Sequence, residues 1–215
     1  MRILIVTNDV TVFNGWGVIG AEYGRTLREM GHEIEYFTKA GGNKFDPSIT
    51  TWPFLFYRRV IPRTLLYFLF HAIVINCLHL FRRYDAVIIV IEPLMPLAPY
   101  LLIKKKIQVL AGTYSVLPWL DSSLAKLYRK ALHRIDGFTS ISEYTREKFL
   151  HYSGSAPDKV VTLPLGVHPQ PDVKLPEFRE PAFMFVGANK ERKGLFYALQ
   201  ADVQQIPPKA LLKTL

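Results

Sequence analysis

Two glycine-bearing stretches of this sequence have the residue types and spacing to hold a phosphorylated ligand. Gly15-Trp16-Gly17 lacks side chains at two of three positions, so backbone N–H groups can approach an anion at the positive end of a following helix. It does not meet the dinucleotide fingerprint, because it lies well after the preceding strand, and no Gly-Lys-Ser/Thr follows it. A plain glycine turn accounts for the same residues. The second stretch, Gly187 to Gly194, places Lys190, Arg192 and Lys193 at a strand-to-helix turn. Cations and a helix terminus would there hold a diphosphate together; a solvated run of charge is the competing reading. Glu92 stands at the carboxyl end of an apolar run beside Pro93, where it would face an acceptor or cap a helix. His71, His79 and His133 fall in helical patterns and read as packed or exposed. No Ser-His-Asp order or metal-ligand spacing stands out, so no residue is assigned to catalysis and no metal is expected.

The elements that must position these groups follow from hydrophobic periodicity. The 215 residues are 49% hydrophobic and 21% charged, which excludes a disordered chain and permits a substantial core. The single cysteine, Cys77, excludes an internal disulfide and a cysteine-clustered zinc site, and its apolar neighbours predict a buried, inert thiol. A net charge of +9 favours an anionic partner. The aromatics sit mostly within apolar runs, so a nucleic-acid stacking platform is not expected.

Arg2 to Asn8 reads as a buried strand and the Gly15–Gly17 stretch as a loop after it. Ile19, Tyr23, Leu27 and Met30 recur on one helical face, closed by Gly31. Residues 32–38 form a second strand, and residues 41–63 are loop-rich, with three prolines. Strands follow at 85–91, 107–111, 137–141 and 160–163. Helices are expected around 96–105, over 120–134, and after Ser142, with Glu143 at the positive end. This alternation predicts an α/β fold with a mostly parallel sheet. Residues 1–166 make one domain and the proline-rich 167–181 a linker. Residues 182–215 supply one strand, the basic loop and one helix, an incomplete start of a second domain.

The N-terminus has too short an apolar run for a signal peptide. Leu65 to Phe81 is short for a bilayer crossing and contains His71, Asn76 and His79. It reads as a buried core helix or as a basic, aromatic-rich helix lying on an anionic membrane surface, with a true span the less favoured reading.

The ordered set of these pieces resembles glycosyltransferase family 4, of the GT-B fold. The resemblance rests on the opening strand with Gly15–Gly17, the Gly31-His32-Glu33-Ile34 turn and Ser140-Ile141-Ser142 before a helix. It continues through Lys159 to Gly166, and from Phe185-Val186-Gly187 to Arg192-Lys193-Gly194. It implies Rossmann-like sheets with helices on both faces, an acceptor-side domain followed by an incomplete donor-binding one. It further implies retaining transfer of a sugar from a nucleotide-sugar, without metal or cofactor, to a glycan or lipid-linked acceptor. The expected location is the cytoplasm, peripheral on the inner membrane face. By position, Gly15 and Gly17 would approach the donor phosphates, and Arg192, Lys193 and Lys190 would clamp them. On the acceptor side, Ala111 stands where many relatives carry a histidine, leaving Thr113, Tyr114 and Glu92 as candidates; Ala188 replaces a common arginine. The paired-glutamate segment that grips the donor ribose has no counterpart in these residues, so the chain alone is expected to be inactive or to need a partner chain that supplies the donor domain. The reading from another class is a non-catalytic binding or membrane-recruiting module on the same scaffold.

Overall fold

The computed structural model describes residues 1–10, 15–39, 49–55, 65–112 and 122–166. The chain divides into two units, Met1–Gly166 and Val167–Leu215, and every described residue belongs to the first. The expected linker and the strand, loop and helix of 182–215 lie outside the described residues.

Seven strands form one sheet: β1 (Arg2–Val6), β2 (Glu33–Lys39), β3 (Thr50–Leu55), β4 (Ala86–Ile89), β5 (Lys105–Leu110), β6 (Gly137–Ser140) and β7 (Val160–Thr162). Their order is β3-β2-β1-β4-β5-β6-β7, and every neighbouring pair is parallel. Parallel strands need crossovers, which cover the sheet and call for apolar residues on both faces. In β1, Leu4 and Val6 join a core with helix α2 (Leu65–Arg82) and helix α3 (Ser122–Leu132). Ile3 and Ile5 point the other way, into a core with Ile19 of helix α1 (Gly15–Glu29). A fourth helix, α4 (Glu143–Ser153), packs Phe149 against Phe138 of β6, their ring centroids 4.9 Å apart.

Several local expectations are corrected. Gly15, Trp16 and Gly17 form the first turn of α1, not a loop before it. Met30 falls just beyond that helix and is exposed. Residues 50–55, read as loop, are strand β3. It pairs only with β2, and at a sheet edge the missing N–H of Pro53 can face away from the ladder. The helix expected at 96–105 is a 3₁₀ segment over Glu92–Tyr100. Pro93, Pro96 and Pro99 recur every third residue, matching a three-residue turn and removing the donors an α-helix would need. Cys77, expected to be buried, is exposed on α2. The Ser142 cap is as expected: its Oγ accepts the Thr145 N–H at 3.2 Å, and Gly154 closes α4 at φ 67°.

A buried carboxylate ties α2 to the sheet. Glu35 of β2 accepts hydrogen bonds from Trp52 Nε1 (2.7 Å), Tyr84 Oη (2.7 Å) and Arg82 Nε (2.9 Å). Burial alone would raise its pKa. The bonds from Arg82, Tyr84 and Trp52 outweigh that effect and hold the carboxyl below its usual range. Burial, reinforced by the bond to Glu35, pushes the Tyr84 phenol well up.

Glu35→Ala strands the Trp52 and Tyr84 donors and is expected to destabilise the domain by about 3 kcal/mol at neutral pH, measured by urea unfolding. Since the folded carboxyl titrates below its unfolded value of about 4.3, the contribution is complete above that pH. It is lost as pH falls through the folded value, so the gap between wild type and variant should close on acidification. A constant gap from neutral to acid pH would contradict this. In α1, a Cβ at Gly24 would lie 1.7 Å from Tyr36 Oη. Gly24→Ala should cost about 1–3 kcal/mol in the same measurement although alanine favours helix.

Candidate functional site

The strands all end at one edge, and the order reverses beside β1: β2 lies on one side of it and β4 on the other. In open α/β sheets the crevice beyond such a reversal is where ligands bind. Here the edge is built from the ends of β1, β4, β5 and β6, with the first turns of α1 and α4.

Thr7, fully buried after β1, fastens α1 to that edge. Its Oγ1 donates to the Trp16 carbonyl at 3.0 Å. A Cβ on Gly20 would meet the Thr7 side chain at 3.1 Å, so the absence of one lets α1 sit close over the strand end. The Val90 N–H donates to the Val6 carbonyl at 2.9 Å, keeping the β1 and β4 ends together. Gly15 and Gly17 are therefore at the carboxyl edge by construction. Gly17 is buried, while a Cβ on Gly15 would meet nothing within 4 Å.

Glu92 follows β4 and is buried. One oxygen, Oε1, accepts the N–H groups of Ala111 (2.9 Å) and Gly112 (3.2 Å). Both bonds go to backbone amides of the segment that leaves β5. The carboxylate fixes the turn that leaves β5, and Gly112 within that turn has φ 104°, a conformation open to glycine but not to residues with a Cβ. Toward α4, a Cβ on Gly112 would meet Thr145 Oγ1 at 3.4 Å. Thr145 Oγ1 in turn accepts from Ser142 Oγ at 3.0 Å. Ser140 Oγ donates to the Ser142 carbonyl at 2.8 Å, and Glu143 accepts from Thr162 Oγ1 at 2.6 Å. That hydroxyl, with the Arg146 guanidinium, holds the Glu143 carboxyl below its usual range.

The structure thus brings Gly15, Gly17 and Glu92 to the same sheet edge. Thr113, Tyr114, Lys190, Arg192 and Lys193 lie outside the described residues. The link from Glu92 to Ala111 and Gly112, and the part played by Thr7, are absent from the sequence reading. A signal for Glu92 exists: it is the only acidic residue between Asp85 and Asp121, and a lone acid in so apolar a stretch implies buried donors. Chemically, the described part of the edge offers shaped backbone and hydroxyl groups. No group of three or more His, Cys, Asp or Glu able to hold a metal occurs among the described residues.

The family model for Glycosyltransferase Family 4 matches residues 13–171, about three quarters of the chain. A solved glycosyltransferase from Rickettsia africae ESF-5 is similar over 77% of this chain and 43% of its own, with 19% identity and a TM-score of 0.59. The apo form of the lipopolysaccharide outer core galactosyltransferase WaaB is similar over 93% of this chain and 57% of its own, with 16% identity and a TM-score of 0.60. MurG of Acinetobacter baumannii follows, with 14% identity and a TM-score of 0.51 over 81% of this chain and 48% of its own. At such identities the likeness is one of fold. The chain spans about half the length of these structures. No curated protein shows a significant match.

The β5 turn gives two measurable expectations. Glu92→Ala leaves two amides without their acceptor and should cost about 2 kcal/mol in urea unfolding, with Glu92→Gln less harmful because an acceptor oxygen remains. Gly112→Ala should cost on the order of 1–3 kcal/mol from backbone strain alone. Wild-type stability in either alanine variant would show that the turn does not depend on these groups.

Proposed function

The chain belongs to Glycosyltransferase Family 4, and from that membership we propose that it forms the acceptor-side half of a nucleotide-sugar-dependent transferase. The reaction is transfer of a sugar, with retention, from a nucleotide-sugar to a glycan or lipid-linked acceptor. The observation that carries this reading is the family match running through α1, the β5 turn and α4, whose ends form one sheet edge.

In sugar transfer the barrier lies in separating the sugar from a diphosphate that gains negative charge. Within this proposal the first-turn amides of α1 at Gly15 and Gly17 face the donor phosphates, where the positive end of a helix favours an anion. By the family resemblance, Lys190, Arg192 and Lys193 are the cations assigned to the donor diphosphate, and they take over from the arginine that Ala188 replaces. No metal is needed, because cations and amides supply the charge. On the acceptor side the candidates are Thr113 and Tyr114, next in sequence after Gly112. Glu92 acts as a positioning residue through its bonds to Ala111 and Gly112. Ala111, in place of a histidine, leaves the acceptor to be held by these hydroxyl groups. Turnover requires a complete donor-binding domain, in one chain or two. The cytoplasmic face of the membrane is its expected place of work.

Titrating the purified chain with nucleotide-sugars and following thermal unfolding tests the donor site. A matching donor at 100 times its Kd should stabilise the protein by about 2.7 kcal/mol. Arg192→Ala with Lys193→Ala should abolish that shift while leaving the unliganded melting temperature unchanged. No shift with any nucleotide-sugar would favour a non-catalytic module on the same scaffold.

A further inference from the structure

Helix α2 turns an apolar face outward. Phe68, Ala72 and Ile75 pack into the core, and with buried His71 they occupy one side at steps of three and four. On the opposite side Leu66, Phe70, Ile73, Cys77 and Leu80 recur at four, three, four and three residues. These should be polar in a helix that merely covers a sheet. Instead Leu66 is 76%, Ile73 61% and Phe81, beside the stripe, 84% exposed. Asn76 extends the face sideways. Its amide donates to the Tyr100 carbonyl and accepts the Leu102 N–H, both at 2.9 Å, which sets exposed Leu102 next to the helix.

The charge around this face has one sign. Residues 47–84 contain no Asp or Glu and five arginines: Arg58, Arg59, Arg63, Arg82 and Arg83. Arg82 is engaged by Glu35, so among the described residues Arg83 and the exposed Lys104 and Lys105 beyond Leu102 carry the uncompensated charge. A second copy of the chain on this face would bring like charges together. An anionic bilayer meets both features at once, apolar side chains entering the acyl boundary while cations at the margin meet headgroups.

We propose that the outer face of α2 is a docking surface for an anionic phospholipid bilayer, with the helix lying in the interfacial plane. It does not cross. By length and composition its eighteen residues could span a bilayer, but the inner side is committed to the sheet through Phe68, Ala72 and Ile75. This goes beyond the transfer reading, and its test needs neither donor nor acceptor, so either can fail alone.

The experiment is flotation of the purified full chain with vesicles of phosphatidylcholine alone, or of phosphatidylcholine and phosphatidylglycerol in equal parts. Wild type should float with the anionic vesicles and much less with the neutral ones, and salt should weaken the binding. The combined variant Leu66→Ser, Phe70→Ser, Ile73→Ser should lower the partition coefficient about tenfold or more, with an unchanged melting curve. Tyr144→Ser, at an exposed site on α4, should bind as wild type. Cys77, the sole cysteine and central on the stripe, takes an environment-sensitive fluorophore whose emission should shift to the blue on anionic vesicles. That readout does not depend on how the serine variant folds. Equal flotation of wild type and the serine variant, or an unshifted label, would overturn the proposal. So would a wild-type dimer in light scattering that the serine variant dissolves, which would identify a second copy as the occupant.

Discussion

A carboxylate taken out of water must be met by donors, and this constraint organises both edges of the sheet. Near the amino edge, Glu35 draws Trp52 from β3, Arg82 from the end of α2 and Tyr84 from the approach to β4 into one cluster. At the carboxyl edge, Glu92 draws in the backbone of Ala111 and Gly112. In each case one acid joins elements distant in sequence, and losing it would leave several buried donors unpaired. The apolar layers on the two faces give the sheet its bulk stability. The two acids fix where the layers end and at what angle the connecting segments leave.

That division explains how the edge becomes a shaped surface. An all-parallel sheet sends every crossover back from the same side, so loops and helix beginnings accumulate there. Thr7 and Gly20 bring α1 close to β1, Glu92 sets the β5 turn, and Ser142 with Thr145 sets the start of α4. Thr7, Glu92, Ser140 and Ser142 at this edge all bond to protein backbone.

Helix α2 shows the opposite use of surface. Its inner residues obey the sheet, but its outer residues are more apolar than solvation would select. The outer face of α2 and the carboxyl edge belong to the same described unit.

Sequence periodicity was enough for the strands β1, β2, β4, β5, β6 and β7, for the helices α1, α2, α3 and α4, and for the Ser142 cap. Each is set by local burial pattern or local hydrogen bonding, which neighbouring residues carry. The order of motifs was enough for the family. Strand β3 was not legible, since Pro53 speaks against a strand until the edge position is known. Neither was the 3₁₀ segment, whose prolines at every third residue signal a tighter turn only when that spacing is noticed. Gly15 and Gly17 stand out in the sequence as glycines of a loop, whereas they lie in the first turn of α1, beside the bond from Thr7 to the Trp16 carbonyl. The exposure of Cys77 was invisible because apolar neighbours mark a buried side only if the opposite side is polar, and on α2 it is not. Above all, Glu92 shares no local pattern with Gly112, twenty residues away. Their bond exists because β4 and β5 lie side by side in the sheet, and only tertiary structure decides which strands do.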